Sequence, residues 1–347
     1  MKIIKKNNRL LVYITILALV TGCSNPDDEV VMEDSIPMDD DFEVLDLTLT
    51  VETEEDQIGA ISSNAMSVFS GEVWSVGGSR PGVTINQSDI WHSENGVAWG
   101  AVGDNPFDYR EESKLINYDN TLWLIGGRNL EGDPMGEVWS SEDGLVWNLV
   151  TNTPAFIAAV NHDLVVFNNR LFLITRSIIE PEHTSVWSST NGLDWDLETD
   201  NAFSGREEFS AIVFNNAIYV LGGFDPTDSA LPITNEIWTS TNGSSWSQLT
   251  TNTIFTPRYA HTATVYNNKV FVAGGIGRNP SFGILGSLWF SEDMVNWFEH
   301  EPFTSEIGIT DHSALVFDDK LWLFFGIEGG VFPDGEQTSK IFSINEE

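Results

Sequence analysis

The sequence predicts an all-β domain made of six repeats, each folding into a four-stranded antiparallel sheet. Three observations support this prediction. Pairs of tryptophans with eight-residue spacing recur about every fifty residues along the 347-residue chain. Two apolar segments separated by a turn dipeptide precede each pair, and a polar turn lies within each pair. The pairs are Trp91 and Trp99, Trp139 and Trp147, Trp187 and Trp195, Trp238 and Trp246, and Trp289 and Trp297.

The upstream half of each repeat predicts a β-hairpin. Its central dipeptide is Ser-Gly, Asp-Asn, Asn-Asn three times, or Asp-Asp. These residues tolerate the positive φ that a type I′ turn requires. The second apolar run ends near Gly-Gly in most repeats. The six segments are SVFSGEVWSVGG, INYDNTLWLIGG, VVFNNRLFLITR, IVFNNAIYVLGG, TVYNNKVFVAGG and LVFDDKLWLFFG.

The downstream half predicts a second hairpin, whose tip in the second repeat is Asp143-Gly144 within SSEDGLVW. The Ser and Asp side chains can accept hydrogen bonds from local backbone, Gly supplies positive φ, and Trp packs the outer strand against the next sheet. This turn resembles the Asp box of sialidases, although it is one residue shorter between Asp and Trp. The resemblance implies an architectural role.

Four short strands per repeat, a strand ending in Gly-Gly and a later Trp resemble kelch repeats. The resemblance covers Leu45 to the C-terminus and implies a six-bladed β-propeller. Two repeats depart from the pattern, since Thr175-Arg176 and Phe325-Gly326 stand where Gly-Gly is expected.

The two ends of the domain predict how the ring closes. The last repeat ends in SKIFSINEE, which supplies a third strand with Phe342 in the Trp position and no fourth strand. Near the N-terminus, VLDLTLTVE alternates apolar and polar residues as a half-buried strand does. We therefore expect Leu47–Val51 to pair with Lys340–Ser343 and complete the last blade, which protects open sheet edges.

The N-terminus predicts export and lipid attachment. A basic head and an eleven-residue apolar run, too short to span a bilayer, precede VTGC, which resembles the lipobox of bacterial lipoproteins. This predicts a signal peptide over residues 1–22, an acidic tether over 23–42 with lipidated Cys23, and the propeller over 43–347. The acidic cluster after Cys23 resembles export signals of Bacteroidota surface lipoproteins, with a plain spacer as the alternative. The expected location is the outer membrane, at the cell surface or on the periplasmic side.

Composition excludes several functions. The formal charge of −36 repels nucleic acid and anionic membrane surfaces, so nucleic-acid binding is not expected. Cys23 is the single cysteine, which excludes disulfides, cysteine-ligated metal and thiol catalysis in the mature domain.

Basic residues recur at positions that a propeller brings to one face. Loops leading into first strands and loops leaving second strands meet there, around the axis. A cationic mouth could bind the carboxylate or sulfate of an anionic ligand. The alternative is structural: arginine and histidine before the first strand can tie blades together, and Glu111, Glu112, Glu207 and Glu208 can neutralise the arginines. The candidate residues are Arg110, Arg206, Arg258, His162, His261, His312, Arg80, Arg128, Arg176 and Arg278.

No cofactor is expected. The three histidines come from different blades and lack metal-ligand spacing. Copper chemistry of the galactose-oxidase type requires a cysteine that the domain lacks, and calcium at FDPTDS is an unspecific possibility.

The leading functional hypothesis is a binding module without catalysis, whose ligand is an acidic glycan or a protein partner. The alternative is a carbohydrate-active enzyme, because kelch propellers similar to this chain include N-acetylneuraminate epimerases (mutarotases), and sialidases clamp a carboxylate with three arginines. Arg110, Arg206 and Arg258 could mimic that clamp, with Glu207 or Glu208 as acid or base. No Arg-Ile-Pro segment of the sialidase type is present, and no catalytic residue transfers by position. A structural subunit of an outer-membrane complex is the third possibility.

Overall fold

The computed structural model describes residues 45–53, 58–82, 89–103, 106–156, 161–177, 179–230, 232–252, 254–278, 282–300, 308–329 and 335–346. Leu45–Glu347 form one compact unit. The predicted signal peptide, Cys23 and the tether lie outside the described residues. Within these ranges every regular element is a β-strand, and no helix long and apolar enough to cross a membrane is found.

The strands form six four-stranded antiparallel sheets, the blades, together with two small three-stranded sheets. Strand β1 (Leu47–Thr53) belongs to the last blade. Blade 1 comprises β2 (Ala65–Phe69), β3 (Glu72–Val76), β4 (Ile90–Ser93) and β5 (Gly100–Val102). Blade 2 comprises β6 (Lys114–Tyr118), β7 (Thr121–Ile125), β8 (Val138–Ser141) and β9 (Asn148–Thr151). Blade 3 comprises β10 (Asp163–Phe167), β11 (Arg170–Arg176), β12 (Thr184–Ser189) and β13 (Asp196–Thr199). Blade 4 comprises β14 (Ser210–Phe214), β15 (Ala217–Leu221), β16 (Ile237–Ser240) and β17 (Ser247–Gln248).

The last two blades carry the small sheets in their loops. The segment of blade 5 contains β18 (Arg258–Tyr259), β19 (Thr262–Tyr266), β20 (Lys269–Ala273), β21 (Ile276–Arg278), β22 (Phe282–Ile284), β23 (Leu288–Ser291) and β24 (Phe298–His300). The segment of blade 6 contains β25 (Gly308–Thr310), β26 (Ser313–Phe317), β27 (Lys320–Phe324), β28 (Ile327–Gly329), β29 (Glu336–Gln337) and β30 (Ile341–Glu346). Blade 5 is β19-β20-β23-β24 and blade 6 is β26-β27-β30-β1; the small sheets are β18-β21-β22 and β25-β28-β29.

The first strands of the blades form a closed ring. Each contacts the first strand of the next blade, and β26 of blade 6 contacts β2 of blade 1. The predicted all-β fold, a six-bladed β-propeller, is therefore confirmed.

The predicted closure by the N-terminal strand is also confirmed. Strand β1 pairs antiparallel with β30, with Val51 opposite Phe342. The Glu52 carboxylate accepts hydrogen bonds from Ser343 Oγ at 2.6 Å and from Lys320 Nζ at 3.2 Å. Since β1 lies outermost, the two ends of the domain are joined within a single sheet.

The first hairpin of each blade has the predicted turn. Both central residues have positive φ in all six, for example 48° and 56° at Asn168 and Asn169 and 49° and 56° at Asp318 and Asp319. Asn and Asp tolerate this left-handed conformation, so the type I′ geometry follows from the sequence.

The polar turn between third and fourth strands has the predicted hydrogen bonds. In blade 2, Ser141 Oγ accepts from Gly144 N at 2.8 Å, and Asp143 Oδ1 accepts from Val146 N at 2.8 Å. Trp147 Nε1 donates to Gly144 O at 2.9 Å. Blade 5 keeps this geometry with Met294, φ 67°, in place of glycine.

The glycine of this turn also lets the turn approach the preceding blade. A Cβ at Gly192 would lie 2.0 Å from the Trp123 ring of blade 2, and one at Gly243 would lie 2.2 Å from Phe172 of blade 3. Both positions require a residue without a side chain.

The two departures from Gly-Gly have different outcomes. In blade 3 the strand β11 continues through Thr175 and Arg176, which pair with Ser185 and Thr184. In blade 6 Phe325 adopts φ 58°, close to the 60–66° of the first glycine in the Gly-Gly pairs of blades 1, 2, 4 and 5. Phe325 is fully buried and packs on Trp99.

Candidate functional site: the axial mouth

The three arginines predicted to line a cationic mouth are buried inside the blades. Arg110, Arg206 and Arg258 have 0%, 1% and 0% of their surface exposed. Their guanidinium groups bond to groups at the end of the second strand or the start of the third strand of the same blade. This placement favours the structural alternative, in which the arginines hold the blade together. The partners are Glu137 at 2.7 Å for Arg110, Glu236 at 2.7 Å for Arg206, and Gly274 O and Ser287 Oγ at 2.8 Å for Arg258.

The phenylalanines three residues before these arginines belong to the core. Phe107, Phe203 and Phe255 are buried, and each lies under the guanidinium group of its arginine at 5.1, 5.1 and 5.8 Å. Each also packs edge-on against the second tryptophan of its blade pair. They form no wall of a ligand site.

The three histidines lie between blades. His162, His261 and His312 are buried. A Cβ at Gly222 would lie 2.8 Å from His261 Cε1, so that ring packs against the preceding blade; His312 bonds through Nε2 to Thr262 Oγ1 at 2.8 Å. Burial lowers the pKa of His162 and of His312 to about 3 and also lowers that of His261, so all three are neutral at physiological pH.

The arginines after the second strands are partly exposed but paired. Arg128 Nη2 lies 2.5 Å from Glu112 Oε2, and Arg176 Nε lies 2.8 Å from Glu207 Oε1. Arg80 donates to the carbonyl of Ile58 and lies 3.4 Å from Asp89. Arg278 ends β21, and its side chain lies outside the described part of the chain. The predicted basic side chains that the structure describes therefore leave no excess of positive charge at the axis.

Six residues immediately before or near the first strands surround the axis, one from each blade; we call this ring the axial mouth. All six adopt the left-handed conformation, with φ between 51° and 56°. Four backbone hydrogen bonds of 2.9 to 3.2 Å join neighbours in the ring. The bonds run from Ser63 N to Asp311 O, Glu112 N to Ser63 O, Ala260 N to Glu208 O and Asp311 N to Ala260 O. The six residues are Ser63, Glu112, Asn161, Glu208, Ala260 and Asp311.

Three of the six are acidic and come from alternate blades: Glu112 from blade 2, Glu208 from blade 4 and Asp311 from blade 6. Burial raises the pKa of Glu208 to about 8, and the charges of Asp311 and Glu112 act in the same direction. Burial likewise raises the pKa of Asp311 to about 6. Burial raises the pKa of Glu112 against the opposing charge of Arg128. At neutral pH Glu208 therefore holds a proton, and the mouth attracts protons or cations.

Below the mouth lies a cavity of about 290 Å³ along the axis, lined by four consecutive residues from each blade. Lys114 of blade 2 and Asp163 of blade 3 meet there, with Nζ and Oδ1 3.4 Å apart. The other Asp163 oxygen accepts a hydrogen bond from Ala211 N of blade 4 at 2.7 Å. The cavity wall is thus polar and cross-linked between blades.

An aromatic pair stands beside the acidic residues. The rings of Phe224 and Tyr259 are 5.4 Å apart and both side chains are half-buried. Tyr259 precedes Ala260 of the mouth, and Phe224 exchanges two backbone hydrogen bonds with Glu207. Burial raises the pKa of Tyr259 to about 12, with the charges of Glu208 and Asp311 acting in the same direction. The aromatic pair and the carboxyl groups therefore share one electrostatic environment.

The sequence analysis missed the role of the mouth carboxyl groups. Glu112 and Glu208 were considered chiefly as neutralising partners of arginine, and Asp311 was not considered. The sequence contains a signal, because Glu112, Glu208 and Asp311 occupy the same position of alternate repeats, directly before Ser113, Phe209 and His312.

The described residues contain no group of three or more His, Cys, Asp and Glu side chains arranged to hold a metal ion. In the FDPTDS loop, Asp225 Oδ1 accepts hydrogen bonds from the backbone and hydroxyl of Thr227. The mouth itself can donate and accept hydrogen bonds through Glu208, Asp311 and Asn161, and it can transfer a proton at Glu208.

Comparison with known proteins supports a kelch-like propeller fold. No protein-family model matches the chain. Beta-scruin of Limulus polyphemus is 27% identical over 153 residues, which cover 41% of this chain and 15% of beta-scruin. The solved structure of YjhT is similar with a TM-score of 0.63 and 12% sequence identity, covering 83% of this chain and 96% of that chain. At that identity the likeness shows the fold alone.

Proposed function

We propose that the protein is a ligand-binding propeller whose site is the axial mouth and the cavity beneath it, and that the ligand is a glycan residue. The observation that carries the proposal is the convergence of six loops, five of them joined by backbone hydrogen bonds, on a polar cavity with protonatable carboxyl groups and an aromatic pair at its rim. Carboxyl groups bind hydroxyls by accepting hydrogen bonds, and aromatic rings pack against the apolar face of a sugar.

The size of the cavity favours a small group. Its volume of about 290 Å³ lies at the lower limit of the roughly 300–1,000 Å³ typical of ligand sites. A single sugar ring or one inserted side chain suits it better than a longer chain does. A glycan would therefore be bound by one residue, with its remainder outside the mouth.

The charge of the mouth favours a neutral or amino sugar over the acidic glycan expected from the sequence. Arg128 and Arg176 are already paired with Glu112 and Glu207. No described cation forms an ion pair with Glu208. A carboxylate or sulfate placed there would be repelled by Asp311 and would find no unpaired arginine among the described side chains, whereas an ammonium group would be attracted.

A glycan array probed with the Leu45–Glu347 domain tests this proposal. We expect retention on neutral or amino-sugar glycans, and about tenfold weaker retention for Asp311→Asn and for Tyr259→Ala. The control is Glu142→Gln, an exposed carboxylate on a turn between third and fourth strands. Retention only on sialylated or sulfated glycans, or equal retention by all variants, would contradict the proposal.

An enzyme is the second candidate, favoured by one observation. A carboxyl group with a pKa near 8 is protonated at neutral pH and can act as a general acid. If the domain catalyses a glycan reaction, turnover falls as pH rises through about 8, and Glu208→Gln abolishes turnover without abolishing binding. The glycans retained on the array are tested in hydrolysis and anomer-exchange assays. If none is turned over, the enzyme candidate is rejected and ligand binding without catalysis is retained.

We further propose that Cys23 anchors the protein to the outer membrane by lipid, based on the VTGC segment and the basic and apolar residues before it. Mass spectrometry of the mature N-terminus tests this. A lipid-modified Cys23, and release of the protein from membranes by Cys23→Ser, are expected. A mature N-terminus at another residue would contradict the anchoring.

A further inference from the structure

Exposed apolar residues concentrate on the outer parts of blades 2 and 3. Leu145 and Val146 follow the turn glycine of blade 2, and Leu193 follows that of blade 3. Leu149 and Leu197 lie on the outermost strands β9 and β13. Each is between 45% and 63% exposed. We call these five residues the outer apolar strip.

The repeat architecture does not require apolar residues at these positions. In blade 4 the residues equivalent to Leu193 and Leu197 are Ser244 and Gln248, both exposed. In blade 5 Glu299 takes the place of Leu197. Blade 4 has the same turn hydrogen bonds with polar residues at both positions, so the fold does not require the leucines of blades 2 and 3.

The strip follows two neighbouring blade boundaries. Ser244 Oγ of blade 4 donates to Glu198 Oε2 on β13 of blade 3, at 2.6 Å. By the repeat, Leu193 takes the place of Ser244 and Val150 that of Glu198. Leu193 is therefore positioned over Val150, on the side of β9 that faces blade 3, at the same blade boundary as Leu197, which pairs with Trp187. Leu149 pairs with Trp139 on the other side of β9, so it lies with Leu145 at the boundary between blades 1 and 2.

The edges and charges around the strip indicate what could cover it. Among the described strands, β9 and β13 each pair with one neighbour, which leaves an edge of each strand unpaired beside the leucines. Exposed acidic residues flank the strip. A second copy of this chain, with its formal charge of −36, would bring acidic surface against acidic surface, whereas a basic partner would be attracted. The flanking residues are Glu142, Asp143, Asp194, Asp196 and Asp200.

We propose that the outer apolar strip docks an extended segment of another protein in which apolar side chains alternate with lysine or arginine. Apolar side chains of the segment cover the leucines, its basic side chains meet the flanking carboxylates, and its backbone can pair with the free edge of β13 or β9. This surface is separate from the axial mouth and does not depend on the function proposed for it.

The test measures fluorescence anisotropy of a labelled peptide of alternating leucine and lysine added to the full chain. The double variant Leu193→Ser with Leu197→Gln carries the residues of blade 4 and leaves the net charge unchanged, so it separates apolar docking from general attraction to an acidic protein. We expect the double variant to bind about tenfold more weakly, and the control Ile179→Ser, an 83% exposed residue outside the strip, to bind like the wild type.

Two further peptides and a second variant complete the test. An alanine-lysine peptide and a leucine-glutamate peptide should both bind more weakly than the leucine-lysine peptide, and Leu197→Gln alone should reproduce part of the loss if the double variant fails to fold. Equal binding by wild type and strip variants, or equal binding of the three peptides, would overturn the proposal. Self-association of the wild type that the double variant loses in sedimentation would instead assign the strip to a second copy of the chain.

Discussion

The raised pKa of Glu208 predicts a specific dependence of stability on pH. In the unfolded chain this carboxyl group has a pKa near 4.5, and in the mouth burial raises it to about 8. The folded state therefore retains a proton that the unfolded state has released. The stabilisation is fully present below pH 4.5 and is lost as pH rises to about 8, because ionising Glu208 in the mouth is unfavourable. Between pH 7 and pH 9 the contribution of Glu208 to the free energy of unfolding falls by about 1.4 kcal/mol, which corresponds to a change of one pH unit for one bound proton.

Comparison with a Glu208 variant isolates this group within the pH window. Above pH 7 unfolded histidine is mostly neutral, as are the buried His162 and His312, whose folded pKa is about 3. Burial lowers the pKa of Arg258 to about 9, so this arginine makes a smaller contribution of opposite sign near pH 9. Asp311, with a pKa of about 6, is largely ionised in the folded state as well. The assay is thermal unfolding between pH 7 and pH 9, where we expect the wild-type Tm to fall by about 3 °C.

Glu208→Gln should abolish the fall in Tm over that window. Glu207→Gln is the matched control: Glu207 pairs with Arg176, so its loss lowers stability at every pH without removing the slope. A wild-type Tm that does not fall, or a slope that survives in Glu208→Gln, would refute the account of the mouth.

Three further predictions concern the fold. Gly192→Ala should lower the free energy of unfolding by about 2–4 kcal/mol, because its Cβ would overlap the Trp123 ring. Gly132→Ala also has positive φ but has open space around it, so it should lower the free energy of unfolding by only about 1 kcal/mol in chemical denaturation. Equal losses in the two variants would contradict the packing argument. Burial lowers the pKa of His162, so its contribution to stability is present above pH 6.5 and is lost as pH falls towards 3. His162→Gln should therefore reduce the loss of Tm between pH 6.5 and pH 5. If the variant loses as much Tm as the wild type over that range, His162 is accessible to protons in the folded state. Deleting Leu47–Thr53 should lower the Tm and cause aggregation in size-exclusion chromatography, since β30 loses its outer partner. Deleting residues 24–44, the control, should change neither property. A Leu47–Thr53 deletion that remains monomeric with an unchanged Tm would refute closure by β1.

The repeated elements could be predicted from sequence because their determinants are local. A dipeptide such as Asn168-Asn169 specifies its own turn, and Ser141, Asp143 and Gly144 specify the second turn by bonds within a few residues. Closure by β1 could be predicted because the count of strands left one blade incomplete. None of these inferences required the direction of a side chain in three dimensions.

The site could not be predicted in the same way. Arg206 and Glu208 are two residues apart, and the sequence favoured the arginine as the group facing the ligand. In the structure Glu208 adopts φ 53° in the backbone ring at the mouth, while Arg206 is buried against Glu236. Which of the two faces the axis depends on this left-handed turn and on contacts with the neighbouring blade, and neither is visible in a residue pattern.

A crystal structure of the domain with the best-retained glycan tests whether the axial mouth is the ligand site. We expect one sugar ring in the axial cavity, in contact with Asp311 or Glu208 and packed against Tyr259. A sugar bound on the outer strands, or an ordered glycan with the axial cavity empty of it, would contradict the assignment of the mouth as the ligand site.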